Sequence, residues 1–133
     1  MYLSELCLNT LRYKIVQNPL LDLIFVKNTG AAFSILEDST IFLIAFSIAA
    51  VLLIVGYVIK NAHRFSVFAC FWAAILTSGI ICNLYERAVF GYVRDFLKLN
   101  FIDFPVFNIS DIFINVSVMA LIIIIVKNKY LKR

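Results

Sequence analysis

The sequence predicts an integral membrane protein, an all-α helical bundle with a small extracytoplasmic β element. Apolar residues make up 63% of the 133 residues and charged residues only 15%, whereas soluble domains are about 45–50% apolar and about 25% charged. Long stretches carry no charge at all, and short segments with strand character lie outside them. A lipid bilayer therefore suits most of this chain better than water does.

Two uncharged stretches are each long enough to cross a bilayer as one helix. They cover Ser39–Ile59 and Phe65–Tyr85, twenty-one residues each. At about 1.5 Å per helical residue, each reaches about 31 Å, which matches the hydrocarbon core of a bilayer. We therefore predict membrane spans at about residues 39–59 and 65–85, within one membrane domain that covers residues 1–133.

The third uncharged stretch, Ile112–Val126, has fifteen residues and alone would reach only about 22 Å. To cross the membrane, its helix must begin upstream, so we predict a span at about residues 107–126 with Asp111 inside it. An ionisable side chain in a spanning helix costs about 2.5–3.5 kcal/mol near the bilayer centre, so Asp111 indicates function. The alternative is that Asp111 caps this helix, and spacing alone does not decide between the two.

The basic residues predict which side of the membrane each loop faces. Lys60 and Arg64 lie between the first two spans, and Lys127, Lys129, Lys132 and Arg133 follow the last. By the positive-inside rule, both places face the cytoplasm. The loop after the second span and residues 1–38 then face outward. This distribution accounts for the net charge of +4 without a nucleic-acid partner.

The outward-facing segments have weak strand character. Residues 20–27 are rich in β-branched and aromatic side chains and end at a turn signal, Asn28-Thr29-Gly30. From Leu97 to Phe101, apolar and polar residues alternate, and Pro105 stops this second segment. We predict that the two segments form a small sheet. No cofactor is expected, since the only histidine, His63, has no partner at metal-ligand spacing.

The outer loop contains a second carboxylate of interest, Asp95. Two carboxylates that share one proton are the working parts of an aspartic peptidase: the ionised one takes a proton from water, and the protonated one donates a hydrogen bond to the carbonyl of the bond that is cut. The sequence permits Asp95 and Asp111 to form such a pair, but it does not by itself bring them together.

Four segments carry a more specific signal. In chain order they are Asn28–Ser34 (Asn-Thr-Gly-Ala-Ala-Phe-Ser), Asn83 with Arg87, Gly91–Phe96 (Gly-Tyr-Val-Arg-Asp-Phe) and Phe107–Asp111 (Phe-Asn-Ile-Ser-Asp). In these segments the chain resembles the lipoprotein signal peptidases, the type II signal peptidases of the bacterial cytoplasmic membrane. The resemblance implies four transmembrane helices, a small extracytoplasmic β element, and removal of the signal peptide from a lipid-modified prolipoprotein. We expect a monomer in contact with membrane lipids.

The resemblance also assigns roles to individual residues. Asp95 and Asp111 match the two catalytic aspartates. The residues that match the polar lining of the family's site, or that support it, are Asn28, Gly30, Asn83, Arg87 and Asn108. Gly30 would let the backbone approach closely. The plainer alternatives are a simple turn at Asn28 and Gly30, and a polar residue packed between helices at Asn83.

The chain departs from the family pattern in two places. Where the family has Gly-Gly-x-x-Gly-Asn-x-x-Asp-Arg, residues 78–87 keep Gly79 but place Ser78 and Cys82 at the other two glycines and Glu86 at the aspartate. This predicts looser helix packing. In addition, residues 1–19 contain no counterpart of the family's first span, which suggests a late start codon or a truncated member. The alternative functions are therefore an inactive relative that binds lipoprotein signal peptides, or a small transporter subunit with Asp111 as its ion site.

Overall fold

The computed structural model of the chain describes residues 19–30 and 39–131. Its elements are strand β1 (Leu21–Asn28), helix α1 (Thr40–Lys60), a 3-10 turn (Ala62–Arg64), helix α2 (Val67–Phe90), strand β2 (Val93–Leu99) and helix α3 (Ile109–Leu131). Residues 1–18, which with Pro19 contain no counterpart of the family's first span, and residues 31–34 of the first signature segment lie outside the described residues. The chain divides into two compact units, one with residues up to Leu43 and Glu86–Asn108, the other with Ile44–Tyr85 and residues from Ile109 onward.

The three α-helices in the described part of the chain are long and apolar enough to cross a membrane. Their most apolar windows have mean hydropathies of 2.8, 1.9 and 2.5, yet only 6%, 28% and 6% of those residues are buried within the protein. Ile41 and Val67, for example, are each 85% exposed. Apolar surface of this extent requires lipid around it. The predicted class, membrane helices with a small β element, is confirmed.

Local signals determine where α2 begins and ends. At its start, the Ser66 hydroxyl accepts a hydrogen bond from the Ala69 N–H at 3.2 Å, which caps the helix. At its end, Gly91 has a positive φ of 79°, and its N–H bonds the Arg87 carbonyl at 3.0 Å. This left-handed glycine cap stops the helix. Glu86 and Arg87 therefore lie in the last turns of α2, not in the loop that follows the predicted span.

Helices α2 and α3 are in direct contact at Gly79. A Cβ atom added there would lie 2.9 Å from both the Ser110 carbonyl oxygen and Ile114 Cγ1, so the glycine permits the close approach. Ser78 and Cys82, which replace the family's other glycines, are both exposed. Neither replacement disturbs this contact.

Strands β1 and β2 form a two-stranded antiparallel sheet. Val26 pairs with Asp95 and Asn28 with Val93, with an irregularity in the register between Leu23 and Val26. Strand β2 begins four residues before the alternating segment that predicted it. Its first four residues, Val93–Phe96, are all buried, so they lack the alternation of a strand with one wet face. Asp95 consequently lies within the strand.

Candidate active site

Asp95 is a buried carboxylate with an amide donor on each oxygen. Its residue is 2% exposed. The Asn28 side-chain amide donates to Asp95 Oδ2 at 2.8 Å, and the Asn108 amide donates to Oδ1 at 2.8 Å. Hydrogen bonds of this kind stabilise a carboxylate in its ionised form and offset the loss of water around it. The two amides also fix the plane of the carboxylate.

Asn28 is oriented by the turn that follows it. Its Oδ1 accepts a hydrogen bond from the Gly30 N–H at 3.0 Å. Because an amide carries its acceptor and its donors on opposite sides, this contact directs Nδ2 toward Asp95. Arg87 in turn donates from Nη2 to the Gly30 carbonyl at 2.9 Å, which ties the turn to α2. The turn at Asn28 and Gly30 is therefore present, but it also serves to aim an amide at Asp95.

Asn108 is held by backbone pairing of the residue before it. Phe107 and Leu97 exchange N–H···O bonds of 3.0 and 2.8 Å, and the Phe96 N–H also donates to the Phe107 carbonyl at 3.0 Å. Residue 107 thus lies alongside β2 and places Asn108 next to Asp95. Asn108 itself is 5% exposed, so water does not compete strongly for its amide.

Asp111 is bound in the second unit by Asn83. The Asn83 amide donates to Asp111 Oδ1 at 2.9 Å, and Asn83 is 8% exposed. Asp111 is the third residue of α3, so it does not occupy the capping position before the helix. Asn83 therefore does more than fill space between helices, because it holds the aspartate.

The predicted site residues thus fall into two groups. In the first unit the structure brings together Asp95, Asn28, Gly30, Arg87 and Asn108; in the second it joins Asn83 and Asp111. In both groups an asparagine amide donates to the aspartate. Among residues 19–30 and 39–131, the structure shows no cluster of three or more side chains suited to a metal ion.

Comparison with known protein families shows which family the chain belongs to. The family model described as signal peptidase (SPase) II matches residues 2–127. The chain belongs to the signal peptidase II family. The resemblance drawn from the four sequence segments is confirmed.

Two relatives illustrate the distance within the family. The lipoprotein signal peptidase of Streptococcus thermophilus (strain CNRZ 1066) is 35% identical over 107 residues, which cover 80% of this chain and 69% of the relative. The one from Caldicellulosiruptor bescii is 39% identical over 111 residues, covering 81% of this chain and 69% of the relative.

A solved structure is also similar to this chain. It is a bacterial membrane enzyme determined by the in meso method at 2.3 Å resolution, with a TM-score of 0.86 and 27% identity. The match covers 99% of this chain and 85% of that one. Three helices within residues 39–131 are apolar enough to cross a bilayer, and the present chain is an integral membrane protein.

One feature near the site was not predicted as part of it. Glu86, which replaces an aspartate of the signal peptidase II pattern, accepts hydrogen bonds from the Arg94 backbone N–H at 2.7 Å, from Nε at 3.1 Å and from Nη2 at 2.8 Å. The Arg94 guanidinium also lies over the Phe90 ring, 4.5 Å from its centroid. The sequence signal was the arginine directly before Asp95 in a chain with few charges. Its partner eight residues earlier could be found only from the fold.

Proposed function

We propose that this chain is an aspartic endopeptidase that removes signal peptides from lipid-modified prolipoproteins, with Asp95 and Asp111 as its catalytic residues. The relatives that match most of the chain are lipoprotein signal peptidases, which supports the substrate class. The observation that carries the chemistry is the buried Asp95 carboxylate, with an asparagine amide on each oxygen.

The proposed reaction assigns different protonation states to the two aspartates. Asp95, stabilised as the ionised form by two amide donors, takes a proton from the attacking water. Asp111, in its protonated form, donates a hydrogen bond to the carbonyl oxygen of the scissile bond. The water oxygen bonds to the carbonyl carbon and gives a tetrahedral intermediate. When the C–N bond breaks, the proton held by Asp95 passes to the departing amine.

The proposed location is the bacterial cytoplasmic membrane, with the chemistry near its outer face. Lys60 is the last residue of α1 and Arg64 follows it, and Lys127 and Lys129 lie in the last turns of α3. By the positive-inside rule these ends face the cytoplasm. Asp111, at the opposite end of α3, is then near the outer leaflet. A substrate whose diacylglyceryl group is held in the bilayer can reach that depth without leaving the membrane. We also propose that the enzyme acts as a monomer.

The direct test is cleavage of a defined substrate by the purified full-length protein in lipid vesicles. We expect mass spectrometry to show cleavage of a lipidated prolipoprotein peptide immediately before its modified cysteine, and far slower cleavage of the same peptide without lipid. A protein that binds the lipidated peptide and leaves it intact would instead be a non-catalytic relative, and the proposed function would be wrong.

A further inference from the structure

The ion pair of Glu86 and Arg94 lies where strand β2 begins. Arg94 is 4% exposed and the Glu86 side chain 16%. Glu86 Oε1 accepts from both Nε and Nη2 of Arg94, at 3.1 and 2.8 Å. An ion pair with two N–H···O bonds to one carboxylate oxygen and little exposure holds its geometry more tightly than an exposed pair, because both charges lose their partner if it opens.

The same carboxylate also binds the backbone of the strand. Glu86 Oε2 accepts from the Arg94 N–H at 2.7 Å, and the Phe96 N–H, two residues later, donates to the Phe107 carbonyl at 3.0 Å. In a strand, the N–H groups of residues i and i+2 point to the same edge. The residues on either side of Asp95 are therefore anchored along one edge of β2, while β1 pairs along the other.

Helix α2 provides two contacts to Arg94 from one turn. Phe90 follows Glu86 by four residues, so both side chains lie on the same face of the helix. The guanidinium is 4.5 Å from the centroid of the Phe90 ring and hydrogen-bonded to Glu86. The end of α2 thus controls the position of residue 94, and through the peptide bond the position of Asp95.

We propose that Glu86 and Arg94 act as one positioning pair, which holds the backbone at Asp95 so that its carboxylate meets Asn28 and Asn108 in the orientation that catalysis needs. The inference rests on the proposed function of Asp95. Catalytic groups must be held within about 0.5 Å and 10–20° of their productive geometry. The hydrogen bonds from two side-chain amides to Asp95 meet that demand only while the strand that carries Asp95 stays in place.

The test compares kcat and KM in the full-length protein for Glu86→Gln, Arg94→Met and the double variant. Both substitutions keep the approximate size of the side chain and remove its charge. A displacement of about 1 Å costs about 100-fold in rate, so we expect kcat to fall by about 10- to 100-fold while KM changes less than about threefold. Because the two residues act together, kcat of the double variant should be no lower than kcat of the less active single variant.

Matched controls separate positioning from a general loss of folding. Lys98→Met removes a charge from an exposed position on the same strand, and Asp103→Asn changes an exposed carboxylate; both should keep the full rate. Arg94→Lys keeps a cation opposite Glu86, whereas Arg94→Met does not, so Arg94→Lys should recover part of the kcat that Arg94→Met loses. All rates are expressed per folded molecule, with folding followed by thermal unfolding in detergent.

The outcomes distinguish this inference from the proposed function. If the unchanged protein cleaves the lipidated peptide and Asp95→Asn does not, but Glu86→Gln and Arg94→Met keep kcat within threefold, the positioning pair is refuted and the function stands. Losses that add up in the double variant, or that appear in KM alone, also refute the pair. If the unchanged protein does not cleave the peptide, both proposals fall.

Discussion

The contact at Gly79 yields the sharpest prediction about stability, through the substitution Gly79→Ala. The added Cβ would lie 2.9 Å from the Ser110 carbonyl oxygen and from Ile114 Cγ1. Ile114 can turn its side chain, but the carbonyl belongs to the backbone of α3. Ordinary contact begins near 3.4 Å, so α2 and α3 must separate by several tenths of an ångström.

The size of the effect follows from two opposing terms. Overpacking a close contact costs about 1–3 kcal/mol, and replacing glycine by alanine inside a helix returns about 0.5–1 kcal/mol. The difference of the two terms is a net loss of about 0–2.5 kcal/mol in the free energy of unfolding. Asn83, one turn further along α2, should also move away from Asp111, to which it is now bonded at 2.9 Å, and kcat should fall by about 10-fold or more.

The matched control is Gly56→Ala in α1, where an added Cβ meets nothing within 4 Å. Unfolding of both variants can be followed by helical circular dichroism as sodium dodecyl sulfate is titrated into mixed micelles, and activity can be measured on the same samples. Gly56→Ala should match or slightly exceed the unchanged protein in stability. Equal stability and activity of the two variants would refute the proposed close packing of α2 on α3.

Two further predictions concern a hydrogen-bond donor to Asp95 and the glycine that ends α2. Asn108→Ala removes the donor to Asp95 Oδ1. A hydrogen bond to a charged group is worth about 1.5–3 kcal/mol, so the cleavage rate should fall about 10- to 100-fold. Asn61→Ala, in the turn after α1, should have no effect, and equal rates for the two variants would contradict the role of Asn108. Gly91→Ala adds a side chain to a residue with φ of 79°, where the added atom meets nothing within 4 Å. Backbone strain alone should therefore lower the free energy of unfolding by about 1–2 kcal/mol. Unchanged unfolding in the detergent titration would refute the role of Gly91 as the left-handed cap of α2.

Much of the fold follows from local properties of the sequence. The length of the uncharged stretches predicts the membrane helices, because a helix of about 20 apolar residues matches the thickness of the bilayer's hydrocarbon core. The predicted second span ends at Tyr85, whereas α2 continues through Glu86 and Arg87 to Phe90. The helix continues to Phe90 because both charges find partners outside it: Glu86 binds Arg94, and Arg87 binds the Gly30 carbonyl.

The site was predicted unevenly, for a physical reason. Asp111 could be predicted from the sequence because a carboxylate in a short apolar span costs free energy. Asp95 could be predicted because it matches the family pattern. The contacts that hold Asp95 could not be read from spacing, since Asn28 lies sixty-seven residues away in the chain and reaches it only through the pairing of β1 with β2. The first half of β2, Val93–Phe96, lacks the alternation that begins at Leu97, because these four residues are all buried and hide the period of two on which strand prediction depends.

In the proposed mechanism Asp95 activates water and Asp111 donates a hydrogen bond to the scissile carbonyl, and the cleavage kinetics of their isosteric variants test this most directly. In full-length protein in lipid vesicles, Asp95→Asn and Asp111→Asn should each bind the lipidated precursor peptide while kcat falls by about 10²- to 10⁴-fold. The double variant should fall little further, because two groups that act as a unit are lost together. The exposed Asp103→Asn should keep the full rate. If either single aspartate variant retains more than a tenth of the kcat of the unchanged protein, the two-aspartate mechanism is wrong.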